Sequence, residues 1–216
     1  MPIIKSSFYG DPNVGLYGFA TDSYGICGIK SKHLEKPLGV KFHFLHLYGT
    51  YLSGIFAGGN SHGIVVSKHI SRNEITHMKS FAGVLLLDTP YTAMGNLVLL
   101  NDNGAVISPL LRRHKKEIEK FFQLRCEVST VAGMSIVGSV AVATNKGCIV
   151  HPNIKSGERK IVEDVLRVPL GIGTVSFGSP FVKSGMIANK NGAAVSEKCS
   201  GIELGNISEA LGFIVK

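Results

Sequence analysis

The chain has eight histidines and four cysteines, whose side chains could bind a metal ion or act as a nucleophile. His43 and His46 lie in the segment FHFLHL, and on a strand their spacing places the two rings on opposite faces. Neither an HExxH nor a CxxC pattern is present. The sequence therefore predicts no metal site and no cofactor, and scattered reduced cysteines are typical of the cytoplasm.

Cys199, in the segment EKCSG, is the cysteine that we weigh as a nucleophile. Such a residue needs a base within hydrogen-bond reach and surroundings that stabilise the thiolate. The sequence offers no clear histidine and acid set to go with it. We therefore predict that the protein is not an enzyme and has no catalytic residues.

A basic run is the remaining candidate for chemistry. The chain has a net charge of +8, and residues 112–116 read RRHKK. Arg112, Arg113, Lys115 and Lys116 of this run follow the helix-start signal Ser108-Pro109. They either contact nucleic-acid phosphates or form a solvated helix face, and the sequence leaves both interpretations open.

The elements that position these residues repeat five times. Each copy has an apolar strand, a polar turn that ends in glycine, and a second apolar strand. Copies begin at Gly15, Gly54, Gly95, Gly138 and Gly185, and the fifth copy is shorter than the others by two residues. The glycines that end the turns, called the second glycines, are Gly25, Gly63, Gly104, Gly147 and Gly192, which are 38, 41, 43 and 45 residues apart. Such periods are typical of repeat architectures. Asn, Asp and Gly in the turns predict backbone with positive φ.

Helix signals follow most of these hairpins. Ser71 to Glu74 is a capping box, Ser156 begins a helix whose Ile161, Val162, Val165 and Leu166 face inward, and Asn206 begins a short helix that stops at Gly212. The first copy has room for a turn or so between Ser31 and Pro37. Third strands are predicted at 84–87, 127–131, 168–175 and 213–215. The unit is therefore strand, strand, helix, strand.

The strand at Ile3-Ile4 has no obvious partner in its own unit. We infer that it shares a sheet with the C-terminal strand, which closes the five units into a ring. We expect one domain over 1–216, with approximate repeats 1–40, 41–83, 84–126, 127–167 and 168–216. No signal peptide or stretch long enough to span a bilayer is apparent, so we expect a cytoplasmic protein with no membrane partner.

Four segments carry a family resemblance: GGNSHGIVVS from Gly58, GNLVLLNDNGAVISP from Gly95, VGSVAVATNKGCIVHP from Val137 and VPLGIGTVSFGSPFVKSGMIAN from Val168. The chain resembles the translation initiation factor 6 family over essentially its whole length, and its length without an acidic or serine-rich tail resembles the archaeal members. The resemblance implies an α/β (α+β) pentein fold, five ββαβ units in a closed ring with fivefold pseudosymmetry.

The resemblance also implies a function without chemistry. Members of the family bind the face of the large ribosomal subunit that meets the small subunit, dock on a ribosomal protein beside the sarcin–ricin loop, and block subunit joining. A GTPase and its partner protein evict them. For this chain we therefore expect a monomeric ribosome anti-association factor with a role in large-subunit maturation, whose basic run contacts rRNA or solvent.

The family's binding positions lie at the start of each unit's first strand and in nearby turns. The matching residues are Gly15, Leu16, Ile55, Phe56, Asn96, Leu97, Asp102, Ser139, Val140 and Met186. A ring would bring them to one end of its axis. Two positions depart from relatives: Ile55 replaces an arginine of eukaryotic members, and the run at 112–116 is basic where relatives are acidic.

Two other functions stay open at this stage. Some pentein relatives modify guanidino groups with a cysteine near the C-terminus, so the alternative is a pentein-type hydrolase that uses Cys199. A general rRNA chaperone driven by the basic surface is the third possibility, and it predicts steep salt dependence.

Overall fold

The computed structural model describes residues 2–214, in a mixed α/β fold of fifteen strands and seven α-helices within that part of the chain. The strands are β1 (Ile3–Ser6), β2 (Gly18–Ala20), β3 (Gly25–Cys27), β4 (Phe42–Phe44), β5 (Gly58–Asn60), β6 (Gly63–Ser67), β7 (Gly83–Leu87), β8 (Val98–Leu100), β9 (Gly104–Ile107), β10 (Arg125–Val128), β11 (Ala141–Ala143), β12 (Cys148–Val150), β13 (Leu170–Ile172), β14 (Met186–Ala188) and β15 (Ala193–Ser196). The helices are α1 (Glu35–Leu38), α2 (Ser53–Phe56), α3 (Arg72–Lys79), α4 (Met94–Leu97), α5 (Lys115–Phe122), α6 (Ser156–Leu166) and α7 (Gly201–Ala210).

The strands form five three-stranded sheets of one pattern. In each sheet the first two strands pair antiparallel as a hairpin, and the third strand pairs parallel to the second. The five predicted hairpins are thereby confirmed. In the first four sheets a helical segment connects the second strand to the third, as is usual for a crossover between parallel strands.

The fifth sheet takes its third strand from the opposite end of the chain. β1 pairs parallel to β15, with Ile3 opposite Ala193 and Ser6 opposite Ser196. The prediction that the strand at Ile3-Ile4 shares a sheet with the last unit is confirmed, but its partner is β15 rather than the predicted C-terminal strand. The predicted strand at 213–215 is wrong for residues 213 and 214, which form no strand because β1 already occupies that edge, and Val215 lies outside the described residues.

The core consists of five apolar clusters, and each combines residues of two consecutive units. One of them joins the fifth unit to the first: Ile187 and Ala194 pack with Leu34 and Leu38, all buried. Each fully buried Leu or Ile contributes about 1.5–3 kcal/mol relative to an exposed one. Every sheet therefore depends on a neighbouring unit to cover its apolar side chains.

The hairpin turns differ from the prediction. Their second glycines do not adopt positive φ. Instead, a side-chain oxygen at the turn start accepts backbone N–H groups two or three residues on, as Asn101 Oδ1 does from Asn103 (3.0 Å) and Gly104 (3.1 Å). Gly104 is needed because a Cβ there would overlap the carbonyl oxygen of Val165.

The helix signals were confirmed for three helices and misplaced for one. The Ser71 capping box and the Ser108 N-cap are present, and Ser108 begins a 3₁₀ turn that leads into α5. Helix α6 begins at Ser156, as predicted. Helix α7 begins at Gly201 rather than at Asn206, because Ser200 and Glu203 form a capping box that the sequence reading missed.

Candidate docking surface

Five loops lie together at one end of the strands. In every sheet the second and third strands are parallel, and both run antiparallel to the first. The C-terminal end of each third strand therefore lies at the same end of the sheets as the start of the next unit's first strand. The loops that link them span residues 7–17, 45–57, 88–97, 129–140 and 173–185. We call this set of loops the docking face.

A pocket of about 340 Å³ opens among these loops. The predicted residues Gly15, Leu16, Ile55, Asn96 and Ser139, from four different units, all line it. Asn13, Gly54, Ser179, Phe181, Lys183 and Ser184 complete the lining. The structure therefore brings half of the predicted set to one place.

Asn96 is the pocket residue with the clearest freedom to bind. Its backbone is held, because its N–H donates to Ala93 and its carbonyl accepts from Gly138 N–H at 2.9 Å each. Its half-buried side chain makes no hydrogen bond to any residue within 2–214. An asparagine beside a turn often satisfies the backbone of that turn, and the Asn96 side chain does not.

The fifth copy of the repeat is as long as the others, which corrects the sequence alignment. Asn189 holds the fifth hairpin turn as Thr144 holds the fourth, with an acceptor oxygen toward the N–H groups two and three residues on. Lys183 lies six residues before Asn189, as Gly138 lies six residues before Thr144, so Lys183 occupies the position of Gly138. Ser184, rather than Met186, is thus the equivalent of Ser139.

The other predicted residues do not reach the pocket. Leu97, Val140 and Met186 are buried in the core. Phe56 is half-buried beside Tyr48, with ring centroids 4.9 Å apart. Asp102 lies in a hairpin turn at the opposite end of the strands, where it accepts hydrogen bonds from Ser61 Oγ (2.8 Å) and Asn145 Nδ2 (2.6 Å).

Exposed aromatic rings surround the docking face. Among the residues described, the Tyr and Phe side chains on these loops with more than a third of their surface exposed are Tyr9, Tyr51, Tyr91, Phe177 and Phe181. Tyr9 is 93% exposed and Phe177 is 77% exposed, which is unusual for rings of this size. Aromatic residues at a surface are typical anchors for a protein partner.

Two glutamates accept hydrogen bonds from the docking-face loops of the fourth and fifth units, residues 129–140 and 173–185, which we call the rim loops. Glu203, in the first turn of α7, accepts hydrogen bonds from Ser200 N–H (2.8 Å), Thr174 Oγ1 (2.9 Å), Phe177 N–H (3.2 Å) and Gly178 N–H (2.9 Å). Burial would raise the pKa of Glu203, but these donors outweigh it and hold the pKa below the usual value.

Glu158, in the first turn of α6, repeats the arrangement. It accepts from Ala132 N–H and Gly133 N–H at 2.8 Å each, and from Thr130 Oγ1. Ala132, like Phe177 in the fifth unit, has a positive φ, which costs energy for a residue with a side chain. The carboxylates therefore fix loop conformations that the backbone alone would not favour.

Half of the basic run is engaged within the protein. Lys115 pairs with Glu127 at 2.9 Å, and the hydrogen bond from this lysine to Glu127 raises the pKa of Lys115. Arg113 donates to the carbonyl of Asp88 at 2.9 Å. Arg112 and Lys116 are exposed. The segment begins beside the loop that carries Tyr91, so it borders the docking face.

Cys199 lacks the surroundings of a nucleophile. It is 1% exposed, burial raises the pKa of its thiol, and Ser176 N–H contacts its Sγ at 3.4 Å. A buried thiol with a raised pKa stays protonated and inert. Among residues 2–214, no group of three His, Cys, Asp or Glu side chains is placed to hold a metal ion, and no helix in that range is long and apolar enough to cross a membrane.

The fold and the surface together define a mixed α/β repeat protein. One end of it, the docking face, has a pocket surrounded by exposed aromatic side chains. The chain belongs to the eIF-6 family, which matches it over residues 3–210. It is 35% identical to Translation initiation factor 6 of Thermococcus onnurineus (strain NA1), over 99% of this chain and 100% of the relative. It is 36% identical to that of Methanococcus vannielii, over 98% and 99%. Membership supports a role as a translation factor.

The sequence reading missed several residues of this surface. Asn13, Ser179, Phe181, Lys183 and Ser184 line the pocket without having been predicted. Two of them, Lys183 and Ser184, follow from the repeat once the fifth copy is aligned at full length, because they are the equivalents of the predicted Gly15 and Leu16. Tyr9 and Phe177 occupy equivalent places in their units, each before a glycine with positive φ, as Tyr48 does in the second unit. The repeat does not predict their exposure, since Tyr48 is half-buried and an exposed ring is not distinguishable from a buried one by residue type alone.

Proposed function

We propose that this chain binds the large ribosomal subunit at the face that meets the small subunit, and thereby prevents the two subunits from joining. Family membership supports the ribosome as the target. The observation that carries the proposal is the pocket in which Leu16, Ile55, Asn96 and Ser139 from four units converge, with the Asn96 amide left unpaired within the described residues.

The mechanism that we propose is steric occupancy. Rim aromatics such as Tyr9 and Phe177 would supply the apolar anchors of the interface, and the Asn96 amide would supply directional hydrogen bonds at its centre. Glu158 and Glu203 hold the rim in one conformation before binding, which lowers the ordering cost of association. The small subunit is then excluded by volume, and no covalent step is required.

We further propose that the units form a closed pentein ring with fivefold pseudosymmetry, in a single domain. The first strands of all five hairpins line one narrow channel of about 70 Å³. Side-chain amides link consecutive units: Asn60 Nδ2 donates to Asn101 O (3.1 Å), and Asn101 Nδ2 donates to Thr144 O (3.0 Å). Asn189 Nδ2 donates to Thr21 O (2.8 Å), which joins the last unit to the first.

The partners in this proposal are the ribosomal protein beside the sarcin–ricin loop, the adjacent rRNA, and a GTPase with its partner protein that release the factor. Arg112 and Lys116 are the basic residues available for rRNA phosphates, since Arg113 and Lys115 are engaged internally. The factor would act as a cytoplasmic monomer, during subunit maturation and before initiation.

Sucrose-gradient sedimentation with archaeal ribosomal subunits tests the proposal. We expect the protein to migrate with the large subunit alone and to reduce the joined-ribosome peak. Asn96→Ser should weaken binding about tenfold, which corresponds to about 1.4 kcal/mol. Asn206→Ser, at an exposed position of α7, is the matched control and should bind normally. Protein that stays at the top of the gradient and leaves joining unchanged would refute the function.

A further inference from the structure

Lys183 occupies a position that glycine fills in the other four units. Gly15, Gly54, Gly95 and Gly138 are its equivalents, each six residues before the residue that begins the hairpin turn. Backbone contacts support the equivalence, because Gly138 N–H donates to Asn96 O (2.9 Å) and Lys183 N–H donates to Ser139 O (3.2 Å) in the next pair of units. The fifth unit thus adds one long cationic side chain where the others have none.

This side chain lies between the channel and the docking-face pocket, and it lines both. Its Nζ donates to the carbonyl of Gly95 at 2.7 Å, which uses one of three N–H groups. The other residues that line the two cavities include no titratable side chain, and Lys183 forms no ion pair within residues 2–214. Burial lowers the pKa of Lys183 to about 8.

Lys183 is half-buried, and an ammonium that is partly withdrawn from water without a counter-ion costs free energy, which a negative group placed against it offsets. The pocket above it has apolar walls from Leu16, Ile55 and Phe181 and polar groups from Asn96 and Ser139. Such a pocket suits a carboxylate carried on a short aliphatic stem. We infer that Lys183 receives the side-chain carboxylate of an acidic residue that the docking partner inserts into this pocket. This inference rests on the proposed function for the identity of the partner, but not for the chemistry of the pocket.

A nucleic-acid phosphate fits the site less well than a carboxylate. Phosphates lie on the outside of their chain between sugars, and proteins meet them with several cations or N–H groups at an accessible surface. Here one lysine lines the pocket, and other cations near this face, among them Arg112, Lys116, Lys155 and Lys198, are outside the pocket lining. A protein side chain reaches into such a pocket, whereas a phosphodiester backbone does not.

The chemistry of the pocket is tested first on the isolated full-length protein. NMR of the lysine ε-methylene signals, assigned with Lys183→Met, is followed while sodium butyrate is added at constant ionic strength. We expect a saturable shift of the Lys183 signal and a rise in its apparent pKa, with no response to the neutral butyramide. No saturable response to butyrate would overturn the inference. A response to inorganic phosphate but not to butyrate would also overturn it, because it would assign the pocket to a nucleic-acid backbone.

Binding to large subunits is the second measurement. Lys183→Met keeps the side-chain length, and Lys183→Gly restores the residue of the other four units, so at least one variant should fold. We expect both to bind about tenfold or more weakly at pH 7, and Lys160→Met, at an exposed site of α6, to bind normally. Wild-type affinity should fall by up to about tenfold per pH unit above pH about 8, because binding then requires proton uptake, and the variants should lack this component.

The outcomes separate the two proposals. If the wild type does not bind subunits but butyrate shifts the Lys183 signal, the proposed function fails and the carboxylate site stands. If Asn96→Ser weakens binding while both Lys183 variants bind normally, the function stands and the inference about Lys183 fails.

Discussion

The glutamate in the first turn of α7 gives the sharpest test of how the docking face is held. Glu203 accepts four hydrogen bonds, two at each oxygen: Oε1 from Thr174 and Gly178, and Oε2 from Ser200 and Phe177. In Glu203→Gln one oxygen becomes an NH₂ group, which cannot accept a hydrogen bond from either of its two donors. If the NH₂ takes the place of Oε2, the N–H groups of Ser200 and Phe177 are left unpaired. If it takes the place of Oε1, the N–H of Gly178 is left unpaired and the Thr174 hydroxyl must turn to accept.

The expected loss follows from the donors left unpaired. Leaving a buried donor unpaired costs about 1–3 kcal/mol, so we expect Glu203→Gln to lower the free energy of unfolding by about 2–4 kcal/mol. For a chain of this length each kcal/mol lowers Tm by roughly 2–4 °C, so Tm should fall by about 4–16 °C at pH 7. Glu74→Gln is the matched control: Glu74 also closes a capping box, but it accepts only from Ser71 N–H, and Gln serves in that role.

The same reasoning fixes the pH dependence. The pKa of Glu203 is lower in the folded protein than the ordinary value of 4.5. Its stabilisation is therefore fully present above that value and is lost as the pH falls through the lower folded pKa. Calorimetry should show the difference in Tm between wild type and Glu203→Gln shrinking toward pH 3. A difference that stays constant with pH, or a Tm equal to that of Glu74→Gln, would refute this account.

The remaining predictions concern a glycine pair, the rim and the core thiol. Gly205→Ala lies in helix α7 with open space at the Cβ and should stabilise the protein by about 0.5–1 kcal/mol. Gly147→Ala should destabilise the protein by more than that, because the new Cβ would overlap the carbonyl of Ala210. Denaturant unfolding that ranks the two variants the other way would contradict the structure. Phe177→Ser should leave Tm within about 2 °C and weaken subunit binding about tenfold, measured by co-sedimentation, because the exposed ring contacts little within the protein. Cys199→Ala should leave subunit affinity unchanged, and native Cys199 should resist thiol reagents; rapid labelling or lost affinity would reopen the enzymatic alternative.

Much of the fold is readable from the sequence because it repeats. The second glycines and the apolar runs beside them predicted five hairpins, and a capping box at Ser71 predicted the start of α3 correctly. The physical role of the glycines was not readable, since Gly104 is required by the carbonyl of Val165, which lies in another unit. A contact between distant segments leaves no local signature.

The candidate site came from the family resemblance, and its role in binding stays a prediction. The repeat explains why Leu16, Ile55, Asn96 and Ser139 lie together, because they occupy equivalent places in four units. The fifth unit does not follow the pattern, because Lys183 replaces the glycine that marks the start of a copy. The next glycine, Gly185, was therefore taken as the start, which placed Met186 where Ser184 belongs. Asp102 was placed with the set by resemblance, whereas its carboxylate faces the opposite end of the strands.

The parallel pairing of β1 with β15 has a consequence for synthesis on the ribosome. Ile3–Ser6 are made before the other fourteen strands described, whereas their partners Ala193–Ser196 are the last of these strands. The first strand must therefore wait, unpaired, while the strands between them are made, and the sheets of the middle units can form in sequence behind it. Assembly of the fifth sheet then acts as a completion check, because a chain that stops early leaves both β1 and the apolar side chains of the first unit uncovered.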